Sequence, residues 1–280
     1  MRNVIKLKQG EWAAQISPVF GMNTIMLSCG GEQILRSPES LDALQASPCT
    51  YGTPLLLPPN RTRNAQFVFD GKTYLLTPNE KATGNHIHGF LNSALFEIEE
   101  WSDDRAVGKL INDGAYFPFP FEITVTCQLS DDGYTQKYSI KNTGDTDMPL
   151  TIGLHTTFFA KEQFCGPIGQ LWQRDSANIP TGILLPLSKA EEQYRKGTPC
   201  QGNRISGFYT SAGNTARIGN YRYTVSSNFN QWILWNGDGN SGFISIEPQC
   251  GAVNALNSQI GLHRLEPGEI ETFTTWIHGV

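Results

Sequence analysis

Phe121-Glu-Ile-Thr-Val-Thr-Cys-Gln-Leu129 carries an apolar residue at every odd position and a polar one at every even position. Successive side chains of a strand point to opposite faces, so this alternation predicts a half-buried β-strand over 121–129 with its odd positions inward. The same reading extends outward to Phe96-Glu-Ile-Glu99 and to Tyr221-Arg-Tyr-Thr-Val225. Ala65-Gln-Phe-Val-Phe69 and Lys72-Thr-Tyr-Leu-Leu76 flank Asp70-Gly71. Two apolar runs around Asp-Gly predict a hairpin, because both turn positions need positive φ.

Helical signals are few. Ser37-Pro38, followed by Leu41 and Leu44, predicts an N-cap with proline at the first helical position. Ser188 and Glu191 form a capping-box pattern, and Gly197 would end that helix. Gly and Pro clusters recur at short intervals, with no linker, low-complexity run or repeat. Many short strands without alternating helices predict an all-β fold of stacked antiparallel sheets, a large β-sandwich formed as a single domain over residues 1–280.

The chain has 280 residues, 39% hydrophobic and 17% charged, which is a globular composition with ample length for a core. Asp and Glu number 26 against 21 Lys and Arg, a net charge of −5. That balance gives no reason to expect nucleic acid or an anionic membrane as partner, though it leaves room for a local basic pocket. The first eight residues interleave charge with apolar groups and lack the apolar core of a signal peptide, and no stretch is apolar enough to span a bilayer, so a cytoplasmic location is the expectation. Six cysteines (29, 49, 127, 165, 200 and 250) include no C-x-x-C pair. They read as free thiols, with Cys250, near the strongest chemical motif, expected as a bystander at the site.

Reactive groups concentrate in four stretches: Pro59-Asn-Arg-Thr-Arg63, Asn85-His-Ile-His-Gly89, Gly153-Leu-His-Thr-Thr-Phe158 and Ile246-Glu-Pro-Gln-Cys-Gly-Ala-Val-Asn-Ala-Leu-Asn257. His86 and His88 would face one side of a strand, a spacing that suits a metal or a surface pair. His155 stands between apolar residues, where a hydrogen-bonded core histidine and a functional one are both open readings. Glu247 follows the apolar Phe243-Ile-Ser-Ile246, and a carboxylate at the end of a buried strand is paired or functional. Arg61 and Arg63 would share a strand face.

In their order, these stretches resemble the aldose 1-epimerase (galactose mutarotase) family. The resemblance is carried by Asn60-Arg61 before the glycine-turned hairpin, by Asn85-x-Ile-His88-Gly89, by His155-Thr156-x-Phe158, and by Glu247-Pro248 with Asn254-Ala-Leu-Asn257 downstream. Pro180-Thr181-Gly182 and Leu265-Glu-Pro267-Gly268 also match, so nearly the whole chain is covered. Three departures stand out: Phe90 in place of a second glycine, Thr157 in place of an aromatic residue, and no acid in Gln201–Tyr209. The resemblance implies a galactose mutarotase-like β-sandwich and interconversion of sugar anomers. It implies Glu247 as base, His155 as acid, and His88 and Arg61 as donors to the sugar. Ring opening by proton transfer needs neither metal nor cofactor.

The substrate expected is a small-molecule sugar, a free aldose. A sugar phosphate would call for two or more cations, and with Arg61 at the ring the spare ones in view are Arg63 and, more distantly, Arg204. A sugar-6-phosphate mutarotase and a non-catalytic sugar-binding relative are the alternatives. A metal-dependent isomerase or oxygenase would use His86 and His88. A glycosidase would need a second acid, and none stands out near Glu247 or His155.

Overall fold

The computed structural model describes residues 3–280. The strand Phe121–Ser130 shows the predicted pleat, with Phe121, Ile123, Val125, Cys127 and Leu129 all buried. It pairs antiparallel with Gly133–Asn142 across ten residues, from Phe121 opposite Asn142 to Ser130 opposite Gly133. These two strands lie within an eight-stranded sheet that runs from Glu97–Trp101 through Arg105–Asn112, Phe121–Ser130, Gly133–Asn142, Ile270–Gly279, Tyr221–Val225 and Thr215–Ile218 to Phe164–Cys165.

A second eight-stranded sheet contains Pro180–Leu185, Ile168–Arg174, Ser206–Ser211, Gln231–Trp235, Phe243–Gln249, Gly153–Leu154 and Leu55–Leu56, with Thr157–Phe159 also paired to Phe243–Gln249. A four-stranded sheet from Ile5–Gln9 to Glu32–Gln33 completes the layers. Every strand pairing in the three sheets is antiparallel, so the expected antiparallel β-sandwich is what forms.

One continuous apolar cluster joins the layers, drawing Leu7 and Leu27 from the small sheet, Ile123 and Val125 from one large sheet, and Leu234, Ile244 and Ile246 from the other. Tyr223 ties the large sheets together: its ring meets Phe158 at 5.4 Å and Trp232 at 6.3 Å, and its hydroxyl lies 2.8 Å from Thr156 Oγ1. A buried tyrosine is stable there because its hydroxyl has a partner.

The hairpin Gln66–Phe69 with Lys72–Leu75 turns at Asp70 (φ 48°) and Gly71 (φ 75°), as the Asp-Gly signal requires. The helix Lys189–Lys196 carries the full capping box between Ser188 and Glu191. The other expected helix starts later than its sequence signal. It spans Leu41–Ala46, and Ser40 rather than Ser37 caps it, accepting from Ala43 N at 3.1 Å. No helix among the described residues is long and apolar enough to cross a membrane.

Candidate active site

The strand Phe243–Gln249 is buried at all seven positions, and Pro248 does not end it. Its pleat sends Ile244 and Ile246 into the main core and leaves Glu247 on the opposite face. Register then sets that carboxylate in a row, since Glu247 lies opposite Ile233 and Ile233 opposite Phe208. Ser206 and Trp235 pair one step along the same face. This face floors a cavity of about 420 Å³, walled by Asn60, Arg61, Ile87, His88, His155, Arg174, Asn178 and Arg204. A larger groove of about 770 Å³ lies elsewhere, among Ile5, Leu95, Phe96, Trp101 and Ile111. Among the described residues its lining carries one carboxylate, Glu97, one amine, Lys109, and no histidine, so the smaller cavity is the one equipped for chemistry.

The four residues singled out in the sequence, Arg61, His88, His155 and Glu247, all line this one cavity. His155 Nε2 approaches Glu247 Oε1 to 3.3 Å. The rings of His88 and His155 meet edge to face at 5.4 Å, and Trp235 closes on His155 at 5.7 Å. Below His155 the backbone is fixed by its N–H to Pro54 O at 3.0 Å. Thr157, standing where an aromatic residue was expected, is buried with its hydroxyl 2.9 Å from Ser245 Oγ and 3.5 Å from His155 Nδ1.

His88 is held in a backbone conformation that few side chains adopt, with φ 67°. Its N–H donates to Asn60 O at 2.9 Å, and Asn60 is itself left-handed at φ 51°. Such strained non-glycine residues persist only where their surroundings hold them, and they concentrate at functional sites. Gly89 explains the fixed glycine after the histidine. At φ 61° a Cβ there would fall 2.0 Å from Leu57 O, so only glycine fits. Asn254 and Asn257 pin the other side of the segment, accepting from Arg63 N at 3.0 Å and donating to Gln66 O at 3.0 Å.

Arg61 is aimed by a residue that the sequence reading missed. Glu80 takes Arg61 Nε at 3.0 Å and Nη2 at 2.7 Å, while Asn60 Oδ1 accepts from Nη1 at 3.3 Å. Thr83 and Asn85 also donate to Glu80. Burial works to raise the Glu80 carboxyl, but the Arg61 and Thr83 hydrogen bonds outweigh it and hold the group below its ordinary range.

The buried acid and base shift in opposite senses. Burial pushes Glu247 well above the ordinary carboxylate range, with the Arg61 charge opposing. Burial draws His155 down to about 4. His88 falls well below its ordinary value through burial first and then the charges of His155, Arg61 and His86. Desolvation disfavours whichever form is charged, so a carboxyl rises and an imidazole falls. Strong shifts of this kind mark candidate functional groups.

Three expectations are corrected. The strand carrying His86 ends at Ile87, so His86 and His88 do not share a face. His86 turns away, its Nδ1 at 2.7 Å from Thr77 O. Among the described residues no group of three or more His, Cys, Asp or Glu side chains is placed to hold a metal. Arg63 leaves the strand into a tight turn and pairs with Asp175 instead of lining the cavity. Cys250 is buried away from the lining, and the thiol that faces the cavity is Cys49, pushed up to about 12 by burial and by Glu247. Arg174 is a further residue the motifs did not reveal. The signal was the pattern Trp172-Gln-Arg174, which puts Arg174 on the face of a buried tryptophan.

A model of the aldose 1-epimerase family matches residues 27–278. A galactose mutarotase-like protein from Clostridium acetobutylicum is 25% identical, with 99% of this chain and 95% of that one covered and a TM-score of 0.90. An aldose epimerase homologue from C. elegans superposes with a TM-score of 0.82 at 16% identity, over 99% of each chain. A galactose 1-epimerase from Lactobacillus acidophilus gives 0.79 at 18% identity, over 99% of this chain and 94% of that one.

Proposed function

This chain belongs to the aldose 1-epimerase family, and from that premise we propose that it interconverts the α and β anomers of an aldose by acid–base opening and closing of the sugar ring. The observation that carries the reading is the Glu247–His155 pair, 3.3 Å apart at the floor of a cavity it shares with Arg61 and His88. The Glu247 carboxylate takes the proton of the C1 hydroxyl. The His155 imidazolium gives its proton to the ring oxygen, and the C1–O5 bond breaks to leave an open-chain aldehyde. After rotation about C1–C2 the hydroxyl at C5 attacks the other face of the carbonyl. His155 takes back its proton, Glu247 protonates the new C1 oxygen, and the pair returns to its starting state.

Arg61 and His88 donate hydrogen bonds to the sugar oxygens. Arg61 is pre-aimed by Glu80, and a donor fixed before the reaction needs no reorganisation during it. The residues present complete the proton cycle with side chains alone. We place the whole chain, residues 1–280, in one domain around this site, a reading supported by the core that the two large sheets and the small one share.

Glu247→Gln tests the assignment. It keeps the shape of the side chain and removes the base, and a positioned acid–base group contributes about 10²–10⁴-fold. The expected result, by polarimetry on a freshly dissolved pure anomer, is a loss of that order with an unchanged melting transition. Near wild-type turnover would reject the role given to Glu247. A protein that only binds sugar would show saturable binding with no catalysed approach to equilibrium.

A further inference from the structure

We infer that the sugar this site takes carries a terminal anionic group, a phosphate or a carboxylate, held by Arg174 and Arg204 at the far end of the cavity from Glu247. The inference rests on the acid–base reading for which end of the sugar reacts. It does not rest on it for the cations.

Three arginines line the cavity, against one carboxylate among its described residues, Glu247. Arg61 is already neutralised, because Glu80 grips it through two nitrogens. Arg174 and Arg204 are not: among the described residues neither makes an ion pair within 4 Å. The nearest carboxylate to act on Arg174 is Glu191, and it is engaged with Ser188 N at 2.9 Å, Ser188 Oγ at 2.6 Å and Tyr209 OH at 3.0 Å. Burial is the first influence against the charge on Arg174, and the charges of Arg61 and Arg204 act in the same sense. An arrangement of this kind is stable when an anion completes it.

The Arg174 guanidinium is anchored by side-chain contacts, and Arg204 is positioned through its backbone. Arg174 sits over the Phe208 ring, its Cζ 4.7 Å from the centroid, and donates from Nη2 to Ser206 O at 2.9 Å and from Nη1 to Ser206 Oγ at 3.4 Å. A guanidinium has five N–H donors, so one anchored through two of them keeps three for an anionic partner. Arg204 is exposed, but its backbone is fixed from both sides. The fully buried Asn236 donates to Cys200 O at 3.0 Å and Asn203 O at 2.9 Å, and accepts from Ile205 N at 2.8 Å. The acid-free segment 201–209 therefore presents a cation and the Ser206 hydroxyl to the cavity where a hydroxyl-binding acid could have stood.

Spacing agrees with one sugar bridging both ends. Glu247, Ile233 and Phe208 lie abreast on consecutive strands, which puts the Phe208 backbone about 10 Å from that of Glu247. With C1 at the Glu247–His155 pair, C6 is carried by C5 on the other side of the ring oxygen, and a phosphate on C6 extends the sugar by several ångströms, a reach that fits the span toward Arg174. The expectation of an uncharged sugar counted Arg63 as the nearest spare cation. Arg63 is paired with Asp175, and Arg174 takes its place in the count.

The test measures anomerisation of a hexose 6-phosphate, the matching hexuronate and the neutral hexose by exchange NMR, with buffer rates subtracted. In parallel, the Glu247→Gln protein is titrated calorimetrically with the same three sugars. The expected result is a preference for an anionic sugar of about 10- to 100-fold in kcat/KM, the effect of charge-assisted hydrogen bonds. Gain with the 6-phosphate alone identifies a phosphate subsite, and gain with both identifies one for carboxylates too. Arg204→Gln should erase most of that ratio through KM and not kcat. Because the exposed Arg204 side chain makes no hydrogen bond or ion pair among the described residues, its variant reports even if Arg174→Gln misfolds. Equal or better turnover of the neutral hexose, with titrations indifferent to Arg204→Gln, would overturn the inference and leave the acid–base reading standing. Arginine-dependent binding of the 6-phosphate with no catalysed anomerisation of any sugar would do the reverse.

Discussion

Glu80→Gln isolates the electrostatic scaffold of the site from its reacting groups. Glu80 makes no contact with the cavity itself; it faces Arg61, Thr83 and Asn85. The substitution is nearly isosteric, so the main change is one negative charge. Both side chains of the Arg61–Glu80 pair are about four-fifths buried, with 18% and 20% exposure. Removing one partner of a buried pair leaves the other charge uncompensated, at about 3–5 kcal/mol for full burial. Water at the cavity edge reduces that figure, and about 2–4 kcal/mol is the expected loss. For a chain of this size, 1 kcal/mol corresponds to roughly 2–4 °C, so the melting temperature should fall by about 4–16 °C.

The pH dependence of that loss carries the sign. The folded Glu80 pKa lies below the ordinary 4.5, so its stabilisation is present above that value and disappears as pH falls through the folded value. The gap between wild type and variant should therefore be widest near neutrality and should close in acid. A second signature appears at the site. Arg61 is the charge that opposes the rise of Glu247, and without Glu80 its field is no longer offset. The Glu247 carboxyl should then titrate at lower pH, and the alkaline limb of the rate profile should move toward acid. Differential scanning calorimetry across pH, with polarimetric rates on the same samples, reads both. A variant that melts like the wild type at pH 7 and keeps its rate profile would refute the argument that Glu80 holds and screens Arg61.

Gly89→Ala should destabilise the chain by about 2–5 kcal/mol, adding a left-handed backbone penalty to a backbone clash with Leu57 O, and chemical denaturation would measure it. A midpoint within error of wild type would contradict the stated packing. His155→Asn should lower the anomerisation rate by about 10²–10⁴-fold in polarimetry while leaving sugar binding measurable; retention of rate would reassign the acid. The wild-type rate, after subtraction of buffer catalysis, should fall below pH about 4 as His155 takes a second proton into the pair. It should fall again in alkali when the pair loses its last proton; a flat profile across this range would exclude a shared-proton mechanism.

What the sequence made legible follows from what it encodes locally. The strand Phe121–Ser130 is half buried, so its pleat is written as alternation, and the hairpin at Asp70-Gly71 is written in its turn residues. Phe243–Gln249 is buried on both faces, and no alternation marks which side Glu247 takes. That side is set by pairing with Gln231–Trp235, a long-range fact. His88 was misplaced onto a strand face because a left-handed residue breaks the period that the prediction assumed. Glu80 and Arg174 lie outside every motif. Their meaning comes from partners 19 residues away in one case and from a sheet face assembled by topology in the other.

The opposed shifts of Glu247 and His155 make the pair hold one proton between them. Two buried groups at 3.3 Å titrate as a pair, and the relevant quantity is the number of protons they hold together. A histidine drawn down to about 4 and a carboxyl pushed well up leave one shared proton over a wide span of pH, resting on Glu247, and its transfer across the 3.3 Å contact to His155 gives the carboxylate–imidazolium form from which ring opening starts. Ring opening moves the proton of the C1 hydroxyl to Glu247 and that of His155 to the ring oxygen, so protonation switches from one member to the other at constant total. Closing the ring reverses it. The cycle therefore needs no exchange with water, and burial that would disable a lone acid or base favours this coupled one. The Arg61–Glu80 pair fits the same logic. It supplies a fixed donor to the sugar while Glu80 limits the net charge felt by Glu247, so the carboxyl remains basic enough to accept a hydroxyl proton. Arg174 and Arg204, across the sheet, can then recognise an anionic substrate end without lowering the basicity on which the chemistry depends.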